Sequence, residues 1–107
     1  MARTTKKPPV ASCTWQVTTP GELPVYVIGN SKELGEWNTN KAVLMQSGGR
    51  GQEAHHWNIN LTFPLGQEVE FKFIQKSAEG DVMWEEGENR LFTADETGAT
   101  IEWGNFR

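Results

Sequence analysis

A chain of 107 residues has room for one domain with a modest core, but not for a second lobe that closes over a substrate. Hydrophobic residues at 36% together with 11 glycines give the apolar share of a soluble globular protein, so the chain is expected to fold. The net charge is −4; because Arg3, Lys6 and Lys7 lie in an acid-free start, the remainder holds 7 basic against 14 acidic residues, which argues against a nucleic-acid partner. The basic start is too short and sparse to imply a membrane surface, and no window approaches a membrane span. Cys13 is the single cysteine, which excludes an internal disulfide and a cysteine-rich metal site and fits a reducing compartment. The start MARTTKKPPVASCTW lacks the apolar run of a signal peptide, so no targeting segment is expected.

In chain order, residues 1–12 are rich in Lys, Thr and Pro and read as a flexible tail or linker, leaving 13–107 as the domain. Short strands are predicted at Thr14–Thr18 and Val25–Ile28, followed by at most one helical turn at Ser31–Leu34 and another strand at Ala42–Met45. Gly48-Gly49-Arg50-Gly51 reads as a turn. Trp57, Ile59, Leu61 and Phe63 then alternate with Asn58, Asn60 and Thr62, the period-two pattern of a strand with one wet face. Val69, Phe71 and Phe73 alternate with Glu68, Glu70 and Lys72 in the same way. Strands at Val82–Trp84, Arg90–Thr93 and Ala99–Trp103 complete eight candidates, with turn residues between them. The fold class is all-β: an immunoglobulin-like antiparallel sandwich or open-sided, distorted barrel of seven or eight strands.

Catalytic constellations find little support. The only histidines, His55-His56, are adjacent and in an extended chain point to opposite faces, a poor arrangement for a triad or shared metal site. Carboxylate pairs are available among 14 acids, but a sandwich of this size seldom offers the cleft that raises one pKa. The run Asp81, Glu85, Glu86, Glu88 departs from calcium-loop spacing, and no glycine-rich loop has phosphate-binding form. No catalytic residue, cofactor or metal is expected. Asn60-Leu61-Thr62 matches a glycosylation acceptor by chance rather than by context, since it lies in a predicted strand.

Five tryptophans are several times ordinary usage. Trp57 and Trp103 fall on the apolar phase of their strands and Trp15 shares a phase with Val17, so these three are assigned to the core. Trp37 and Trp84 instead adjoin turn residues and acids, in Glu36-Trp37-Asn38 and Trp84-Glu85-Glu86-Gly87, and Lys72 lies on the wet phase of its strand. A flat indole face in polar surroundings suits a pyranose ring, whose C–H groups meet the negative face of the ring while neighbouring polar groups serve its hydroxyl rim. The structural alternatives are that Trp37 caps the barrel as an edge-of-core residue and that Trp84 packs beneath its hairpin.

Val25-Tyr26-Val27-Ile28-Gly29, then Leu34-Gly35-Glu36-Trp37-Asn38, Val69-Glu70-Phe71-Lys72-Phe73-Ile74, Val82-Met83-Trp84-Glu85 and Glu88-Asn89-Arg90 stand in an order and spacing that resembles the starch-binding domain of carbohydrate-binding module family 20. The resemblance runs from Cys13 to about Phe106. It implies non-catalytic binding of α-1,4-glucans (starch, amylose, glycogen, maltooligosaccharides or cyclodextrin), with Trp37 and Trp84 as the stacking pair and Lys72, Glu85 and Asn89 as polar contacts. The module would bring an attached or partner enzyme to the polysaccharide. The aromatic residues of a second glucan site in secreted fungal members have no counterpart in Thr18–Pro24 or in 46–56, so that site is expected to be weak or absent, with His55 or His56 the poorer substitutes. These departures look more like intracellular members, so a plastid or cytosolic, monomeric module is favoured. The alternatives are a protein-interaction sandwich with an acidic docking face and a small glycosidase or phosphatase fragment.

Overall fold

The structure, a computed structural model, describes residues 9–50 and 55–107. Nine strands form two facing sheets: β1 (Val10–Thr19), β2 (Val25–Gly29), β3 (Val43–Leu44), β4 (Gln46–Arg50), β5 (His55–Pro64), β6 (Glu68–Lys76), β7 (Val82–Trp84), β8 (Arg90–Thr93) and β9 (Ala99–Asn105). One sheet runs β4-β5-β1-β9; the other runs β3-β2-β6-β7, with β8 also paired to β6. The all-β sandwich is as the sequence predicts, with one exception to its antiparallel order: β1 and β9, the first and last strands, pair in parallel. Strands so far apart in the chain need no hairpin and are free to run in the same direction.

Period-two alternation builds the core. Ala11, Cys13, Trp15 and Val17 of β1 meet Trp57, Ile59, Leu61 and Phe63 of β5, and Val69, Phe71 and Phe73 of β6 close the cluster from the other sheet. Trp15 is fully buried at the centre, with Phe71 at 4.3 Å, Phe92 at 5.1 Å and Trp103 at 5.4 Å between ring centroids. Trp57 is buried and donates from Nε1 to Thr19 Oγ1 at 2.9 Å, as a large indole with a polar handle requires.

Two local expectations are revised. β1 begins at Val10 rather than after residue 12, because Ala11 is completely buried opposite Phe63 and continues the alternation of β1. Gln46–Arg50 is a strand, paired through Gln46↔Asn58 and Ser47↔Trp57, with an irregular register before Arg50. A Cβ at Gly48 would stand 2.5 Å from Asn58 Nδ2, the movable end of that side chain, and 3.5 Å from the nearest backbone atom, His56 O. The Gly51 part of the predicted turn and residues 1–8 of the predicted tail lie outside the described residues.

Candidate functional site

The site arises where the partner of β6 is broken. β7 pairs with one end of β6, through Ile74↔Trp84, and β8 with the other, through Phe71↔Arg90. Residues 85–89 leave the sheet opposite Lys72 and Phe73. Residues directly opposite each other in an antiparallel pair share a face, so Trp84 stands on the outer face with Ile74, and Tyr26 and Leu44 continue that row across β2 and β3. Lys72 and Ile28 form the next row on the same face. Ile28 and Ile74 are fully buried although they lie outside the core cluster, so the outer face is roofed here. Trp84 itself remains 43% exposed.

Trp37 reaches this face from the connection after β2. A 3-10 turn, Lys32–Leu34, anchors the connection through the fully buried Leu34 and ends at Gly35 in the left-handed conformation. A Cβ at Gly35 would stand 2.5 Å from Lys41 O, so both the dihedral and the space require glycine. Glu36 (φ 52°) and Trp37 (φ 64°) continue left-handed, a conformation that L-residues seldom adopt in succession. Backbone bonds hold it: Trp37 N donates to Gly29 O at 2.8 Å and Glu36 N to Ser31 O at 3.1 Å. Asn38 then caps the next 3-10 turn, Thr39–Lys41, by accepting from Asn40 N. That turn is tied back to the sheet by Lys76 Nζ, which donates to Thr39 O at 2.7 Å and lies 4.4 Å from the Tyr26 ring centroid. The result is a half-buried Trp37 ring whose centroid is 6.4 Å from that of Trp84, the two planes inclined at 36°.

The polar residues take three different positions. Lys72 is half-buried and donates from Nζ to Glu85 O and Gly87 O, so two of its three donors hold its own loop and one remains for a ligand. Asn89 is exposed at the end of the loop, two residues beyond Gly87. Glu85 is not where a sugar-contacting carboxylate would be. Its side chain is completely buried, with Oε1 accepting from Arg90 Nη2 (2.8 Å) and Arg107 N (3.3 Å) and Oε2 from Arg90 Nε (2.9 Å) and Phe73 N (3.0 Å). The reason is strand parity: Glu85 follows an outward Trp84 and its N donates to Phe73 O, so its side chain points inward. Its carboxylate is therefore an internal acceptor, and of its polar groups it is the carbonyl that faces Lys72.

Of Trp37, Lys72, Trp84, Glu85 and Asn89, named from sequence, the structure brings Trp37 and Trp84 together from distant segments and joins Lys72 to the Glu85 carbonyl. Sequence reasoning missed Tyr26 and Lys76, whose signal was phase: both fall on the wet side of their strands with Lys72. It also missed Arg90, a buried cation whose Nη1 donates to Trp103 O at 2.7 Å and whose Nη2 donates to Asn105 O at 2.8 Å. The two histidines face apart as expected, His55 packing on Trp57 at 4.7 Å between centroids and His56 lying beside Thr18. Among the described residues no group of three or more His, Cys, Asp and Glu is arranged to hold a metal ion.

The family model described as starch binding domain matches residues 11–103. Among curated proteins, a cyclomaltodextrin glucanotransferase of Geobacillus stearothermophilus is 38% identical over 84 residues, which is 76% of this chain and 12% of that protein. An AA13 family lytic polysaccharide monooxygenase A of Aspergillus terreus is 36% identical over 72% of this chain and 19% of its own length. The chain therefore spans under a fifth of these relatives. Among solved structures, the family 20 carbohydrate-binding module of a maltotetraose-forming amylase from Pseudomonas saccharophila is matched over 90% of this chain and 100% of that one, with TM-score 0.71 and 24% identity. A γ-cyclodextrin glucanotransferase of Bacillus clarkii matches 92% of this chain and 15% of its own, with TM-score 0.74 and 29% identity.

Proposed function

Because the chain belongs to the starch-binding domain family, we propose that it is a non-catalytic module that binds α-1,4-glucans by stacking glucose rings on Trp37 and Trp84, and so brings an attached or partner enzyme to the polysaccharide. The observation that carries this reading is the Trp37–Trp84 pair itself: two indoles on the outer face, one of them on consecutive left-handed residues. Backbone strain of this kind persists where the surrounding structure imposes it, and it gathers at ligand sites.

The 36° between the ring planes bears on which polymer fits. An α-1,4-linked chain curves, so its successive rings present inclined faces, whereas a flat β-1,4-linked ribbon would need coplanar platforms. In this reading Lys72, which holds the Glu85 and Gly87 carbonyls, and the exposed Asn89 supply polar contacts to hydroxyls. Stacking contributes about 1–3 kcal/mol per ring by analogy with base–aromatic stacking, which places the single-site Kd at about micromolar to millimolar. A repeating polymer compensates for so modest an affinity by multivalency.

The test is titration with maltoheptaose followed by tryptophan fluorescence, with cellohexaose as the control and raw starch retention reversed by β-cyclodextrin as the polymer assay. Trp37→Ala and Trp84→Ala are each expected to remove most binding, by about 1–3 kcal/mol, while melting cooperatively. Wild-type affinity in both variants would refute the stacking assignment, and equal affinity for cellohexaose would refute the geometric argument for an α-glucan.

A further inference from the structure

We infer that Glu85 and Arg90 are positioning residues of the tryptophan platform: a buried ion pair on the inner face of the sheet that sets the loop carrying the outer-face site. This rests on the stacking role of Trp37 and Trp84.

The argument starts from the missing ladder. On the side of β6 away from β2, no strand lies opposite Lys72 and Phe73 between Trp84 and Arg90, so the Phe73 N–H, which points to that side, would be left buried without a strand partner. Glu85 supplies the acceptor, while its own N–H donates to Phe73 O at 3.2 Å. Arg90 stands at the other end of the same loop and grips both Glu85 oxygens, so the loop is closed end to end by one bidentate contact. The guanidinium also lies 5.0 Å from the Phe73 ring centroid, and its remaining bonds go to the Trp103 and Asn105 carbonyls of β9. Beyond β9, Arg107 N donates to Glu85 Oε1 and Arg107 O accepts from Glu86 N at 3.2 Å. The planar fork of arginine can meet all of these acceptors at once; a lysine in its place could not.

The outer face depends on this inner arrangement through two short paths. Trp84 is the residue immediately before Glu85, so the direction of its side chain follows the peptide that the ion pair holds. The Glu85 carbonyl, joined by that of Gly87, seats the Lys72 ammonium. A loop with no ladder of its own is thereby arranged before ligand arrives, and less ordering is left to oppose binding.

The experiment compares Arg90→Lys, which keeps the charge but loses the fork, and Glu85→Gln, which keeps the shape but loses the charge, with Trp84→Ala as reference. Each variant is melted, then titrated with maltoheptaose well below its midpoint. The far-UV circular dichroism couplet of the Trp37–Trp84 pair, taken as wild type minus Trp84→Ala, is measured as well. Arg90→Lys is expected to bind at least tenfold more weakly while folded and to show a diminished couplet. Folded Arg90→Lys and Glu85→Gln proteins with wild-type affinity and couplet would overturn the positioning role and leave the pair purely structural. If both variants fail to fold, the wild-type protein decides by hydrogen exchange: the Phe73 amide must be protected without glucan as well as its ladder neighbour Phe71, and an unprotected Phe73 amide overturns the proposal. Normal binding by Trp84→Ala would instead overturn the stacking reading, a separate outcome.

Discussion

Replacing Glu36 by glycine should stabilise this protein without altering its ligand affinity. Glu36 sits between Gly35 and Trp37 in three successive left-handed residues, and only the first is a glycine. A left-handed L-residue costs about 1–2 kcal/mol. Glycine removes that cost and adds about 0.4–1 kcal/mol of unfolded-chain entropy to be overcome, so the net gain is up to about 1.6 kcal/mol, with about 0.8 kcal/mol the central value. For a domain of this size the central value corresponds to a rise in melting midpoint of about 3–6 °C. The Glu36 side chain is exposed, and the backbone donor to Ser31 O is retained by glycine. Calorimetric melting of wild type and Glu36→Gly, followed by maltoheptaose titration of both, tests the reasoning; affinity is expected within twofold. A lowered or unchanged midpoint would show that the left-handed run carries no strain at Glu36. Trp37 has the same dihedral problem but no such remedy, because the residue that bears the strain also bears the ring.

Two further outcomes follow from other residues. Lys72→Met should weaken maltoheptaose binding by about 1 kcal/mol, roughly fivefold, and speed amide exchange in 85–88 as the two carbonyls lose their donor; unchanged affinity would remove Lys72 from the site. Burial pushes the Cys13 thiol above its ordinary value of 9.0. A folded value above the unfolded one means stability that is complete below the ordinary thiol value and is lost as pH rises through it towards the folded value. The difference in urea midpoint between wild type and Cys13→Ala should therefore shift against wild type above pH 9.0, and a pH-independent difference would contradict it.

The legible parts of this fold were those where local pattern and tertiary burial agree. Trp57–Phe63 and Val69–Phe73 alternate strictly, and both became central strands with the apolar phase inward. β4 was hidden because its glycines are turn residues by composition, yet Gln46 and Ser47 pair with Asn58 and Trp57 of β5; pairing with a distant strand is not written in local sequence. Trp37 and Trp84 were marked by their polar neighbours, but their convergence depends on the Ile74↔Trp84 register and on a left-handed run, neither visible in a one-dimensional pattern. The inward course of the Glu85 side chain was legible. Adjacent residues of a strand cannot share a face, so an outward Trp84 already implied an inward Glu85, and Arg90, facing Phe71, was its natural partner.

The break between β7 and β8 also affects how this molecule meets copies of itself. Joined into one continuous strand, residues 82–93 would present a long edge of free N–H and C=O groups, a template for adding strands from other molecules. The interruption divides that edge into pieces of three and four residues separated by a loop that turns away from the sheet. The same departure from regular pairing that makes room for an exposed aromatic platform thus limits aggregation, so a variant that straightened 85–89 would be expected to lose solubility as well as its site.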